Sequence, residues 1–336
     1  DRYNRKYLIM LSDAFIALTT LGLAVSFWMG FQRIELLLIA SVVRSIGAGV
    51  QTPAVNAIYP QLVPQEGLTK IQGINQTLSS VLMLLAPAVG GAMLGTMDIA
   101  WTFMLDVVTA ALAVLIISFI KVERIERTDE STSVFVELKQ GIQYTFRHPL
   151  LRGIVICYAC SFFLITPAAV LTPLLVERSF GNDVWRLTAN EMVWTVGSLV
   201  GGMFVALYGS FKDKVRTTAM CLVAFGITFG LLGMAGNFVL YLIIMGTSGF
   251  FMPIIATAQT VLIQENTEPT MMGRVFSIIQ IIGASAMPVA ILLFGPLADV
   301  VSVEIILIIT GALLALVGIA YERSNKKTSA LQKDMQ

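Results

Sequence analysis

The chain has few charged residues and almost none of the side chains on which metal sites and nucleophilic enzymes depend. Of its 336 residues, 13% are charged, three are cysteine and one is histidine. A soluble domain has about a quarter of its residues charged. The single histidine, His148, stands beside Pro149, and the zinc-protease, nucleophile-elbow and phosphate-loop motifs are all absent. We therefore predict that the chain is neither an enzyme nor an ATP-driven pump.

The three cysteines do not follow the pattern of a metal or redox site. Cys157-x-x-Cys160 falls inside an apolar run, no second pair accompanies it, and Cys221 is remote. A structural zinc site needs four ligands with characteristic spacing. We interpret the cysteines as small packing residues and expect neither a metal nor another cofactor.

Long apolar runs dominate what the sequence does contain. Apolar residues make up 56% of the chain, and its mean hydropathy is +0.81. A transmembrane helix needs about 20 predominantly apolar residues. Runs of that length lie at roughly 7–31, 35–57, 71–96, 99–120, 151–176, 187–209, 215–235, 238–263, 275–297 and 301–321. The sequence thus predicts an all-α membrane protein with ten transmembrane helices.

The basic residues predict the orientation of these helices. Of the 22 lysines and arginines, only Arg33, Arg178 and Arg186 fall in loops that would lie outside if the first residues are cytoplasmic. Arg44 lies within a helix, and the others fall in the inside loops. This asymmetry follows the positive-inside rule and predicts that both ends are cytoplasmic. The net charge of +1 and its spread over loops give no reason to expect a nucleic-acid partner.

An internal repeat divides the chain into two related parts. Gly49-x-x-x-Pro53 matches Gly249-x-x-x-Pro253, and the spacing from Pro87 to Asp98 recurs from Pro288 to Asp299. Parallel repeats of this kind occur in several transporter folds. We expect an N-terminal helical part at 1–121 and a six-helix part at 150–321, followed by a cytoplasmic tail at 322–336.

The segment 122–149 between the two parts is the longest polar stretch. Val134, Leu138, Ile142 and Phe146 are spaced by four residues, which places them on one helical face. The pattern favours an amphipathic helix lying along the cytoplasmic membrane surface. A solvated connector without membrane contact is the alternative.

The first residues of the sequence form a charged cluster that runs directly into the first apolar stretch. The cluster contains Asp1, Arg2, Arg5 and Lys6. It resembles the second half of the loop that joins transmembrane helices 2 and 3 in the major facilitator superfamily. The chain also begins without Met and without a signal peptide. We therefore expect two further helices upstream and interpret the ten helices as a 4 + 6 part of a 6 + 6 fold.

Two helix motifs and three loop segments extend the resemblance over nearly the whole chain. Arg44-x-x-Gly47-x-Gly49 resembles the Arg and Gly motif of helix 4 in this superfamily. The segment from Ala86 to Gly91 resembles the helix 5 antiporter motif, with Ala86 in place of its first glycine. The loop segments resemble the branch that includes macrolide-efflux proteins and the enterobactin exporter, and they lie at 60–64, 141–152 and 272–275.

The resemblance implies a secondary transporter in the bacterial cytoplasmic membrane. It would act as a monomer and export an amphipathic small molecule, such as a drug, macrolide or siderophore, in exchange for protons. The 19 Phe and 16 Met residues fit such a substrate because they offer deformable apolar surface, although packing or contact with lipid explains most of these positions. Uptake or uniport of a metabolite is one alternative. A membrane scaffold that transports nothing is the other.

Arg44 lies deep enough in the membrane to need a specific partner. Its position about ten residues into a helix places it roughly 15 Å from the helix start. A guanidinium at that depth costs at least about 2.5–3.5 kcal/mol unless water, a carboxylate or backbone carbonyls contact it. We predict that Arg44 faces inward and organises proton or substrate coupling. A structural tie to neighbouring carbonyls is the alternative.

Three acidic residues within the apolar runs are candidates for carrying the proton. A carboxylate in a partly dry cavity can be tuned to bind and release protons in the working pH range. Glu191 is the first candidate, because the resemblance places its helix at the cavity; a carboxylate at the headgroup level is the equally acceptable alternative. Asp13 and Asp106 fall on helices that the resemblance places outside the cavity wall. We expect those two to be structural, through pairing with basic residues at helix ends.

The sequence around Pro87, Gly90 and Gly91 predicts a site of close helix packing. Proline removes one backbone hydrogen bond, and paired glycines let another helix approach closely. The resemblance identifies that partner as helix 2, so we expect an unfilled groove here and poor folding of the chain alone. The other helix prolines, among them Pro53 and Pro253, predict similar bends.

Overall fold

The computed structural model describes residues 4–120, 134–181 and 183–334, and nearly all of these residues are helical. Among them, eleven α-helices and one short 3-10 turn, Gln65–Gly67, follow one another along the chain. The helices are α1 (Arg5–Trp28), α2 (Ile34–Leu62), α3 (Leu68–Thr96), α4 (Ile99–Phe119), α5 (Val134–Arg147), α6 (Pro149–Phe180), α7 (Val184–Tyr208), α8 (Lys214–Leu232), α9 (Phe238–Asn266), α10 (Met272–Val300) and α11 (Val303–Asp334).

Ten of the helices in the described residues are long and apolar enough to cross a membrane. Each overlaps one of the predicted runs, with four before α5 and six after it. The predicted all-α membrane protein with ten spans in a 4 + 6 order is confirmed. The largest difference is at α11, which continues to Asp334 because helical hydrogen bonding does not stop where the apolar sequence ends. The cytoplasmic location of both ends stays a prediction.

Polar residues in the loops set where several helices begin. The side chain of Asn4 accepts a hydrogen bond from the Lys6 amide at 3.0 Å, at the start of α1. Asp98 does the same for Ala100 at the start of α4, at 3.1 Å. Such N-caps satisfy backbone N–H groups that the first helical turn leaves unpaired. The short polar loops therefore define the ends of the spans.

The helices continue through all of the prolines that they contain. Five helices carry internal prolines: Pro53 and Pro60 in α2, Pro87 in α3, Pro167 and Pro173 in α6, Pro253 in α9, and Pro288 and Pro296 in α10. Each proline removes one hydrogen bond. None of them ends a helix, because neighbouring turns keep the remaining hydrogen bonds of the span.

The contacts among the described residues separate two compact units. The first takes its residues from Asp1–Pro64, Leu85–Gly141 and Thr267–Gln280. In this unit α1 packs against both α2 and α4. Leu23, Phe27, Ala40 and Ala100 form one buried cluster along these contacts. The second cluster contains Ile9, Ala54 and Ile58. These clusters fix the helices that carry Arg44, Asp13 and Asp106.

The second unit contains most of the later helices. Its residues come from Gln65–Leu84, Ile142–Asn266 and Ile281–Gln336. Here α7 packs against α9, α8 packs against α9 and α11, and α6 packs against α11. Glycines lie where helices cross closely: a methyl group at Gly226 of α8 would be 2.7 Å from the Ala315 nitrogen of α11. Small residues at such crossings are typical of membrane helix pairs.

Helix α5 presents the predicted apolar face outward. Leu138, Ile142 and Phe146 are about 40% exposed, whereas Thr145 on another face is fully buried. At Gly141 a methyl group would lie 3.0 Å from Cβ of Arg274, so this side of the helix is the packed one. The exposed apolar stripe supports an interfacial helix, and its contact with lipid stays a prediction. The side chain of Val134 lies outside the described residues.

Candidate functional site

Arg44 and Asp106 form an ion pair within the first unit. Arg44 lies about 15 Å along α2, and Asp106 lies about 10 Å along α4. The Arg44 guanidinium donates a hydrogen bond to the Asp106 carboxylate. It also lies 3.2 Å from the Thr20 hydroxyl of α1, and that hydroxyl is 3.2 Å from the same carboxylate oxygen. Three helices therefore meet at one charged site within their apolar spans.

The ion pair offsets part of the free-energy cost of placing the Arg44 guanidinium within an apolar span. A carboxylate is the partner that best offsets the cost of placing a guanidinium at membrane depth. The side chains of Arg44 and Asp106 are 47% and 36% exposed, so the described residues do not enclose the pair. We expected Asp106 to pair with basic residues at helix ends. The structure instead gives it a partner in the interior of α2, because α1 packs against both α2 and α4.

Asp13 makes a different contact from Asp106. Its carboxylate accepts a hydrogen bond from the Gln51 amide of α2 at 2.5 Å. Asp13 precedes Thr20 by seven residues on α1, which corresponds to about 10 Å along the helix. Asp13 and Asp106 therefore occupy separate positions in the first unit. One contacts a guanidinium, and the other contacts a neutral amide.

Arg5 and Lys6 tie the start of α1 to other segments of the first unit. Arg5 is buried and donates to the Ala57 carbonyl at 2.8 Å and to the Pro269 carbonyl. The Lys6 ammonium donates to the carbonyls of Ser118 and Ile120 at 2.7 and 2.9 Å. Basic side chains suit the free carbonyls at a helix C-terminus such as that of α4. Two further residues of the predicted loop motif, Asp1 and Arg2, lie outside the described residues.

The glycines of the predicted packing motifs have contrasting surroundings. A methyl group at Gly47 would lie 2.7 Å from the Ile16 side chain of α1. Within the described part of the chain, nothing lies within 4 Å of such a group at Gly49, Gly90 or Gly91. Gly47 thus serves close packing between α1 and α2. The segment of α3 around Pro87 is exposed.

Glu191 lines a cavity in the second unit. The cavity has a volume of about 220 Å³ and is bounded by α3, α6, α7, α8 and α9. Glu191 and Thr172 are its polar lining residues. Helix α6 contributes a small apolar wall of Ile165, Ala168 and Ala169. The remaining lining residues are aromatic or sulfur-containing: Met83, Trp194, Phe229 and Met245.

A buried hydrogen-bond chain supports the Glu191 side chain. Asn190 donates from its amide nitrogen to Glu191 Oε1 at 3.2 Å. The hydroxyl of Tyr241 on α9 donates to the side-chain amide oxygen of Asn190, Oδ1, at 2.8 Å. Asn190 and Tyr241 are both buried, so their positions are fixed by packing. The chain orients a carboxylate that is itself exposed.

Sequence reasoning found Glu191 but missed the residues around it. Trp194 was not predicted to take part, although it follows Glu191 by three residues and therefore lies on the same face of α7. Asn190 and Tyr241 carried no sequence signal, because the two lie 51 positions apart. Their contact exists only because α7 packs against α9.

The two sites offer charge and aromatic surface rather than metal ligands. Among the residues that the structure describes, no three His, Cys, Asp or Glu side chains come together to hold a metal ion. Cys157 is buried, with its sulfur 3.9 Å from the Ser161 hydroxyl. The sites therefore present two carboxylates, one paired with a guanidinium and one beside aromatic and sulfur-containing side chains.

A chain whose described part contains ten membrane-length helices, with an ion pair inside one helical unit and a carboxylate-lined cavity in another, is a multi-pass membrane protein with the intramembrane charges typical of transporters. The sequence profile of the Major Facilitator Superfamily matches residues 1–291. The chain belongs to that superfamily, whose members are transporters and not enzymes.

Relatives and solved structures agree with this assignment. Macrolide efflux protein A of Streptococcus pyogenes is 27% identical over 332 residues, which cover 97% of this chain and 82% of the relative. Macrolide efflux protein A of Enterococcus faecalis is 28% identical over 297 residues, covering 87% of this chain and 91% of the relative. The fold is similar to that of the Escherichia coli fucose:proton symporter, with a TM-score of 0.74 at 17% identity, covering 95% and 83% of the two chains. The resemblance to the superfamily and its macrolide-efflux branch is confirmed.

Proposed function

We propose that this chain exports an amphipathic small molecule across the bacterial cytoplasmic membrane in exchange for protons, by alternating access. The observation that carries the proposal is the partly exposed ion pair between Arg44 and Asp106 within the apolar spans of α2 and α4. A carboxylate held within the membrane span is the kind of group that can bind a proton on one side and release it on the other. The similarity to two macrolide efflux proteins supports the direction of transport.

In the proposed mechanism the proton acts on the ion pair itself. When Asp106 is ionised, its attraction to Arg44 holds α2 and α4 together beside Thr20. A proton on Asp106 removes that attraction and leaves Arg44 with a weaker hydrogen bond. Binding of the proton therefore changes the relative energies of two helix arrangements, which is what coupling requires. Glu191 is a second carboxylate that could exchange a proton, at the cavity of the second unit.

Transport in everted membrane vesicles tests the proposal. Vesicles containing the full chain are energised by respiration and given radiolabelled erythromycin. We expect accumulation that a protonophore abolishes. Asp106→Asn should lower gradient-driven accumulation at least tenfold while retaining exchange of labelled for unlabelled substrate, because binding and movement do not need the proton. Arg44→Ala should lose accumulation as well.

Arg33→Ala is the matched control, since Arg33 precedes α2 outside the apolar span. Its accumulation should equal that of the native chain. Substrate flux that the protonophore does not change would instead identify a uniporter. Well-folded protein with no flux and no exchange of this or other amphipathic substrates would identify a membrane scaffold.

A further inference from the structure

The Glu191 cavity is smaller than the pockets that usually bind drug-sized molecules. Pockets for drug-sized ligands have volumes of about 300–1,000 Å³, and this cavity has about 220 Å³. A small quaternary or tertiary ammonium with its substituents would fill such a space. The cavity is therefore suited to a terminal group of a larger substrate.

The carboxyl group that lines the cavity has no basic partner among the described residues. Within the described part of the chain, no lysine, arginine or histidine forms an ion pair with Glu191 or lines the cavity. Arg186, five residues earlier on α7, is paired with Asp183 at 3.1 Å. It also lies over the Trp185 and Phe238 rings. The Glu191 carboxylate thus faces an apolar space as an available counter-ion.

The aromatic and sulfur lining favours an organic cation over a metal ion. Trp194 provides the ring that binds cations most strongly through its face. Phe229 and Met245 are buried and add polarisable surface. Calcium needs six to eight oxygen ligands, whereas one carboxylate and the Thr172 hydroxyl are the polar groups that line this cavity.

The Glu191 side chain is held in place before a ligand arrives. Asn190 donates to its Oε1 at 3.2 Å, and Tyr241 fixes Asn190 through a bond of 2.8 Å. A positioned charge loses less entropy on binding than a free one. Replacing the carboxylate by an amide of the same shape keeps an oxygen for Asn190, so the change removes charge while preserving the support.

We propose that this cavity binds the protonated amine end of an amphipathic substrate, with Glu191 as the counter-ion and Trp194 as the aromatic face. The proposal names the substrate class of the exporter and rests on the proposed function for the role of the site in transport. The binding itself can be measured without transport, so failure of one does not imply failure of the other.

A pair of probes that differ only in charge tests the proposal. Benzyltrimethylammonium is the cation, and neopentylbenzene is its neutral carbon isostere. Each is titrated calorimetrically into the full chain in lipid nanodiscs, with empty nanodiscs subtracted to remove partition into lipid. We expect the native protein to bind the cation at least tenfold more tightly than the isostere. Glu191→Gln should weaken cation binding at least tenfold and change isostere binding less than twofold.

Three further variants separate charge from structure. Glu191→Asp keeps the charge and should retain most of the cation selectivity. Trp194→Leu should weaken cation binding several-fold more than isostere binding. Glu177→Gln, an equal change at an exposed glutamate of α6 that does not line the cavity, should have no effect. Equal affinity of the native protein for both probes would overturn the proposal, and so would unchanged cation binding by folded Glu191→Gln protein.

Together with the transport experiment above, the binding experiment distinguishes failure of the cation site from failure of the proposed exporter. Charge-selective binding without proton-driven efflux would support the cation site and contradict the proposed exporter function. Proton-driven efflux without charge-selective binding would support the proposed exporter function and contradict the cation site.

Discussion

Asp106 contacts Arg44 although 62 positions separate them in the chain. Both were recognised in the sequence as unusual residues for an apolar run, and their roles in coupling stay predictions. The structure adds that each is the other's partner and that Thr20 joins them. A charge at membrane depth that loses its partner is costly, by about 2.5–3.5 kcal/mol on insertion scales. The stability lost on removing both members should therefore be smaller than the sum of the losses from removing each alone.

A double-mutant cycle measures this coupling. We expect Arg44→Leu and Asp106→Leu each to lower the free energy of unfolding, and the double variant to lose less than their sum. Because the pair is partly exposed, the expected coupling is about 1 kcal/mol. Unfolding in detergent mixtures with increasing SDS provides the measurement.

Arg33→Leu combined with Asp106→Leu is the control cycle, since Arg33 immediately precedes α2 and forms no ion pair with Asp106 among the described residues. These two changes should be additive. Additivity of the Arg44 and Asp106 changes would show that the pair contributes nothing to stability.

At the scale of helices, equivalent glycines of the internal repeat have different surroundings. Gly249 on α9 faces the backbone of α7, where a methyl group would contact the Trp194 carbonyl oxygen and lie 3.2 Å from the Ser198 nitrogen. Gly49 on α2 has nothing within 4 Å among the described residues. The two positions share the Gly-x-x-x-Pro pattern, yet only one serves close packing in this structure.

Alanine substitutions at Gly249 and Gly49 should show which of the two positions serves close helix packing. Gly249→Ala forces α7 and α9 apart, and overpacking of this kind costs about 1–3 kcal/mol. Gly49→Ala adds a methyl group in open space and improves helix propensity, so stability should stay equal or rise by up to about 1 kcal/mol. Thermal unfolding of the purified proteins gives the comparison. Equal losses at both positions would contradict the packing seen at Gly249.

The contact between α7 and α9 also decides the geometry of the cavity. It brings Tyr241 to Asn190 and thereby orients Glu191. The spacing of Glu191 and Trp194 on α7 could have been read from the sequence, because residues three apart share a helix face. Met83, Phe229 and Met245 could not, because they come from three other helices.

At the scale of the whole molecule, the sequence predicts which loops face the cytoplasm. The basic residues that would lie outside are few, and Arg33 is one of them, between α1 and α2. Lys212, between α7 and α8, belongs to the predicted inside set. Both side chains are exposed, so both positions can be labelled.

Cysteine labelling on intact cells tests this orientation. In a background without the three native cysteines, Arg33→Cys should react with a membrane-impermeant maleimide on intact cells. Lys212→Cys should react only after the membrane is permeabilised, because the positive-inside rule places its loop in the cytoplasm. Labelling of both sites on intact cells, or the reverse pattern, would show that the predicted orientation is wrong.

The sequence alone determined the class and the number of spans. A bilayer demands about 20 apolar residues per helix and rejects unpaired backbone groups, so composition and run length are enough to place ten helices and most of their ends, although not the end of α11. The sequence also singled out Arg44, Asp106 and Glu191, because charged residues are rare in apolar runs of this length.

Only the tertiary structure decided which of these residues meet. Arg44 reaches Asp106 because α1 packs against both α2 and α4, and Glu191 faces Trp194, Phe229 and Met245 because several helices converge around it. Within one helix, neighbours follow from a period of 3.6 residues. Between helices, neighbours depend on how the helices cross and rotate, and packing of the whole side-chain surface fixes those crossings.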